Sequence, residues 1–81
     1  MTPELLQMLR CPETQQALAL AETALVERLN AQVITGELRN RAGQPVTVKL
    51  DAGLMRADGK VLYPIRRNVP VLLVNEAITL A

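Results

Sequence analysis

Two apolar runs flanking a charged corner stand out along the chain. They are Val61-Leu62-Tyr63-Pro64-Ile65 and Val69-Pro70-Val71-Leu72-Leu73-Val74, with Arg66-Arg67-Asn68 between them. Runs of this length, rich in β-branched residues, predict two strands joined by a tight connection. Pro64 and Pro70 each lack a backbone donor, so each is expected at a strand end, an edge or a bend, outside the middle of a ladder. Asn68 is the corner residue that best tolerates left-handed backbone angles. The run from Val71 to Val74 would present apolar side chains on both faces of a strand, one toward the core and one in need of a cover.

Upstream, Thr2-Pro3-Glu4 has the marks of a helix start, with Leu5, Leu6, Met8 and Leu9 forming its apolar side. That short helix should stop near Arg10, because Cys11 precedes Pro12. Residues 12–15 read as a polar turn, and Leu18 and Leu20 alternate as in a short strand. Leu25, Val26, Leu29 and Val33 repeat at helical spacing within 21–36, and Gly36 is placed to end the helix. Residues 37–45 predict an exposed loop with Gly43 and Pro45 as breakers. Val46, Val48 and Leu50 alternate with Thr47 and Lys49, the pattern of a half-buried strand. Residues 51–53 then turn the chain into a strand at 54–57, and Asp58-Gly59 is a two-residue hairpin signal of the primed type. The segment 75–80 has the makings of one helical turn capped by Asn75. The expected fold is one α+β domain over 1–81: a small, mainly antiparallel sheet of four or five strands, a short N-terminal helix and one longer inserted helix.

Composition narrows the function. The chain has 81 residues, 49% of them hydrophobic, but Tyr63 is its only aromatic, so no stacking platform for single-stranded nucleic acid can be built. It has no histidine and no serine, which removes the commonest general base and every Ser-His or Cys-His nucleophile arrangement. Cys11 is the only thiol, read as a small buried hydrophobe whose thiol a helix C-terminus would push up. The carboxylates fall among turns and helix starts and mark no shared site, and the four glycines form no phosphate-binding loop. Hence no catalytic residue, no metal ligand and no cofactor is expected. Charge is uneven: residues 38–67 carry Arg39, Arg41, Lys49, Arg56, Lys60, Arg66 and Arg67 against Asp51 and Asp58, a local +5, while the remainder is −4. A solvated sheet face accounts for this first, and RNA phosphates second. A lone cysteine, no charged-then-apolar leader and no apolar run near the ~20 residues that span a bilayer point to the cytoplasm.

Against this background, Leu5-Leu6-x-x-Leu9-x-Cys11-Pro12, Leu18, Tyr63-Pro64-Ile65-Arg66, Val69-Pro70-Val71-Leu72-Leu73 and Glu76-Ala77 together resemble the multifunctional methyltransferase subunit family. The likeness covers roughly 5–20 and 54–77, and the middle reads as an insertion relative to short bacterial members. The resemblance implies a non-catalytic partner that pairs a strand and an apolar face with a methyltransferase, ordering an enzyme that acts on tRNA, rRNA or release factors with S-adenosylmethionine. Many members also bind structural zinc through Cys-Pro-x-x-Cys and later cysteines. Here Thr14 takes the second position and Leu54-Met55-Arg56 offers no thiolate, so the tetrahedral ligand set is incomplete and the zinc is expected to be lost.

The expected function is therefore a small protein-binding adaptor, with Met8, Leu9, Tyr63, Pro64, Ile65, Arg66, Val69, Pro70, Val71 and Leu73 as its contact residues. A methyltransferase is the implied partner. An RNA-contacting module through the seven basic residues is one alternative, and self-association through the last strand is another.

Overall fold

The structure is a computed structural model that describes residues 8–80. Its elements in chain order are β1 (Leu18–Leu20), α1 (Thr23–Thr35), β2 (Ala52–Arg56), β3 (Val61–Arg66), β4 (Val69–Pro70), a single 3-10 turn (Val74–Glu76) and β5 (Ile78–Thr79). The expected α+β class with an antiparallel sheet and one longer helix is what the structure has. The N-terminal helix expected from Thr2 onward lies outside the described residues except for Met8.

The sheet has five strands, with β3 pairing β2 along one edge and both β4 and β5 along the other. All these pairings, and that of β1 with β2, are antiparallel. β3 is the doubly buried strand. Val61, Tyr63 and Ile65 join Cys11, Leu18, Leu54 and Ala77 in one apolar cluster, while Leu62 joins Val26, Leu29 and Val33 of the helix with Leu38, Val46, Leu50 and Ile78 in the other. This corrects the expectation for residues 71–74. Only Val69 and Pro70 of the second run are strand, and Val74 begins the 3-10 turn, so the run that fills both faces is the first one.

Pro64 is also placed differently from expectation: it is buried within β3, opposite Gly53. The pairing explains how this is tolerated. The Pro64 carbonyl accepts from Val71 N–H at 2.8 Å, so its backbone faces away from β2, and no β2 bond needs the missing donor. β4 ends opposite Ile65 and β5 ends opposite Leu62, which leaves the break between the two short strands beside Pro64. Gly53 is a strand residue too, not part of a turn. A Cβ there would lie 2.8 Å from Leu62 Cδ1.

The tight corner holds a left-handed Asn68 as expected, but the primed turn expected at Asp58-Gly59 is not there. The primed two-residue turn is at Arg67-Asn68, with φ of 51° and 61° between the paired Arg66 and Val69. At the other hairpin only Gly59 is left-handed; its N–H donates to the Arg56 carbonyl at 2.8 Å, and a four-residue connection, 57–60, results. Ala57 and Asp58 therefore take ordinary turn angles, and the Asp58 carboxylate accepts from Lys60 N–H at 3.0 Å in place of a second positive φ.

Gly36 ends α1 as expected, left-handed at φ 78° with its N–H turned back on the helix carbonyls. Residues 46–50 form no strand: Val46 and Leu50 are buried, but Val48 is exposed. The preceding loop is anchored by the buried Leu38, whose carbonyl accepts from Val46 N–H at 2.8 Å. The expected helical turn over 75–80 is met only by the 3-10 turn Val74–Glu76; β5 follows it and adds Ile78 to the helix-side cluster.

Candidate functional site

The polar group that the fold assembles lies around Cys11, in the turn between the Arg10–Ala17 bridge residues. Cys11 N–H donates to the Gln16 carbonyl at 2.9 Å, and Gln15 N–H returns to the Cys11 carbonyl at 2.8 Å, so the turn closes on itself and buries the thiol. Tyr63 enters from β3 with its Oη 3.0 Å from Cys11 Sγ, and Arg56 enters from β2 with Nη1 at 4.0 Å. Arg56 is buried, with Nε and Nη2 held by the Asp58 carboxylate at 2.9 and 2.8 Å and Nη1 by Glu13 at 3.3 Å. Arg41 closes the far side on the same Glu13 oxygen.

Burial alone would push the Cys11 thiol up. The Tyr63 hydroxyl, then the Thr14 hydroxyl and amide and the Glu13 amide, outweigh it and bring the thiol down to about 6. Burial and the adjoining thiol push the Tyr63 phenol up to about 12. Arg56 and the Lys60 amide hold Asp58 down at about 2, Arg41 holds Glu13 below the usual carboxylate range, and the carboxylates push both guanidinium groups up. The expectation of a raised thiol at a helix end is thus corrected, because Cys11 sits in a closed turn whose donors point at the sulfur. Arg56 and Arg41 also leave the expected basic face, having spent their charge on Glu13 and Asp58.

This cluster does not suit a metal ion. It offers one thiol, Thr14 occupies the second position of the Cys-Pro-x-x-Cys pattern, and a guanidinium lies against the sulfur where a cation would sit. Among the described residues no group of three or more His, Cys, Asp or Glu side chains comes together.

The ten expected contact residues divide sharply. Tyr63, Pro64 and Ile65 are interior, filling the middle of β3, so they shape a surface without touching a partner. Leu9 packs against the Cys11 side of the core. Arg66, Pro70 and Val71 are half-buried, while Val69 at 59%, Leu73 at 62% and Met8 at 76% are open to solvent. Leu72, between them, turns inward onto the Cys11 cluster. Val48 is an exposed neighbour that the alternation at 46–50 had hidden: its carbonyl accepts from Arg66 Nη2 at 3.4 Å, and Arg66 lies across from Val69. No cover for this end comes from α1, whose buried residues pack on Leu62 and Ile78.

Pro70 limits what this edge can do. Val71 N–H points inward to Pro64, so the neighbouring residue, Pro70, turns its donorless nitrogen outward. A partner strand would find a missing bond in the middle of the segment.

No family model matches the chain, and no curated protein does. Among solved structures it is similar to XF2673 from Xylella fastidiosa, known from a solution NMR structure: 34% of residues are identical, the match covers 98% of this chain and 81% of that one, and the TM-score is 0.76. At that identity and coverage the two share both sequence and fold, and the chain belongs to the same family as the Xylella fastidiosa protein.

Proposed function

We propose that the protein is a non-catalytic adaptor that binds a protein partner through the side chains around β4, with Val69 and Leu73 as apolar contacts and Arg66 as the flanking charge. One observation carries this reading: the chain buries its central strand and the Val26, Leu29 and Val33 side of its helix, but leaves Val69 and Leu73 open at the edge that α1 does not reach. Contact is by side chains, since Pro70 blunts the edge for strand addition. The resemblance of Tyr63-Pro64-Ile65-Arg66 and Val69-Pro70-Val71-Leu72-Leu73 to the methyltransferase subunit family makes an S-adenosylmethionine-dependent methyltransferase the expected partner. Within that reading Tyr63, Pro64 and Ile65 hold β4 in place from inside.

The test is affinity purification from native cells followed by mass spectrometry, with the wild-type chain beside a Val69→Asp, Leu73→Asp variant. Both positions are exposed, so the variant keeps its fold. A methyltransferase retained by the wild type and lost by the variant is the expected result. Identical protein sets from the two would remove the surface assignment, and a lost partner of another class would remove the methyltransferase.

A further inference from the structure

A groove of about 200 Å³ runs beside Arg66, lined by Asn40, Gln44, Thr47, Val48, Arg66 and Glu76 among others. Its walls are tied together by backbone bonds. Arg41 and Ala42 N–H donate to the carbonyls of Ala77 and Asn75 at 2.9 and 3.3 Å, which holds the 40–45 loop against the turn that carries Glu76. The loop keeps its own shape through Asn40, whose Oδ1 accepts from Gln44 N–H at 3.1 Å.

The charges in this groove are left unspent. Arg56, the other arginine drawn against the body, has two carboxylates. Among the described residues Arg66 has one long bond, Nη2 to the Val48 carbonyl at 3.4 Å, and its buried Nε has no partner. A buried cationic N–H without an acceptor is costly. Its present position is weakly held, so the guanidinium can swing toward an incoming oxygen and free Nε as it does so. Glu76 lines the same groove and, like Arg66, belongs to no ion pair among the described residues.

We propose that this groove is a binding site for a small zwitterion of the free α-amino-acid class, its carboxylate on Arg66 and its ammonium toward Glu76. An isolated anion would meet the Glu76 carboxylate and an isolated cation the Arg66 guanidinium, so a ligand carrying both charges fits better than either. The side-chain amides of Asn40 and Gln44 add neutral donors and acceptors. The groove is smaller than the ~300 Å³ at which drug-sized pockets begin, which restricts the ligand to a few heavy atoms. Binding is weak, because exposed ion pairs gain little over water. This site shares Arg66 with the adaptor surface but uses neither Val69 nor Leu73, so the Val69→Asp, Leu73→Asp variant tests the adaptor reading without touching the groove.

The experiment is a two-dimensional NMR titration of the isotope-labelled full chain with L-alanine, and with acetate, ethylammonium and inorganic phosphate as comparators. Saturable shifts at Asn40, Gln44, Arg66 and Glu76 are expected with alanine, at least fivefold tighter than with any comparator. Arg66→Lys keeps the charge but loses the planar fork and should weaken alanine at least fivefold; Glu76→Gln should erase the preference for alanine over acetate. Both residues are half-buried along the groove, and unchanged spectra elsewhere verify the fold. Absence of saturable shifts, phosphate or acetate binding as tight as alanine, or variants that bind alanine as the wild type does would each overturn the site.

Discussion

The side chain of Asn30 grips the backbone of Leu50 from both sides: Nδ2 donates to the Leu50 carbonyl at 2.9 Å, and Leu50 N–H donates to Oδ1 at 2.7 Å. A helix residue thereby satisfies the two groups that a neighbouring strand would have satisfied. Leu50, 3% exposed, can then sit in the core without a ladder. Asn30→Ala should cost about 1–3 kcal/mol by stranding both backbone groups. Urea unfolding would measure it. Asn30→Asp keeps the acceptor alone and should fall between the two.

Gly53 faces Leu62 where no Cβ fits without displacing a side chain at the centre of the core. Gly53→Ala should therefore destabilise by about 1–2 kcal/mol, the usual cost of overpacking, despite alanine's lower backbone entropy. A thermal midpoint equal to or above the wild type's would show that Leu62 repacks freely.

The Cys11 thiol predicts a pH dependence. Its value in the folded chain is about 6, against 9.0 for an ordinary thiol, so the folded state holds the thiolate while the unfolded state still binds the proton. A lowered value stabilises at high pH: the contribution is complete above pH 9 and is lost as pH falls toward 6. Tyr63 has the opposite sign. Its phenol, raised from 10.0 to about 12, stabilises below pH 10 and loses that contribution through pH 12. Stability should rise by about 1–3 kcal/mol between pH 6 and 9 and decline above pH 10. Denaturant midpoints across this range would measure the slope, and Cys11→Ala should flatten the rising limb.

Arg67 stands at the first central position of a primed turn with φ 51°, where a long side chain gains nothing from left-handed geometry. Its N–H donates to Asp51 Oδ2 at 2.6 Å, a bond any residue except proline can keep. Arg67→Asn should stabilise by about 0.5 kcal/mol, and Arg67→Val should destabilise by 1 kcal/mol or more. Paired thermal scans decide the matter, and the same sign for both would refute the turn argument.

Much of this fold is legible in local pattern. The spacing of Val26, Leu29 and Val33 marks the helix, Gly36 marks its end, and the apolar run Val61 to Ile65 marks the central strand. What local pattern hides is pairing. Pro64 can sit inside a sheet only because its backbone faces a break between β4 and β5, and that break depends on residues 69–79. The alternation of Val46, Val48 and Leu50 looks like a strand because nothing nearby reveals that Asn30, twenty residues upstream, supplies Leu50's partners. Arg56 looks like one of seven solvated cations until Glu13 and Asp58 converge on it. Of the residues expected to make contacts, Val69 and Leu73 are open to solvent, whereas Tyr63 and Ile65 are drawn into the core by the same apolar character that makes them look adhesive in the sequence.

The placement of residues 77–79 has a consequence for synthesis. Ala77 completes one apolar layer, Ile78 completes the other, and Leu80 N–H locks onto the Lys60 carbonyl at 2.8 Å. A nascent polypeptide stalled before this point would leave both layers gaping. Maturation must therefore wait until that stretch clears the ribosomal tunnel, and chains ending short of it become ready substrates for chaperones and proteases.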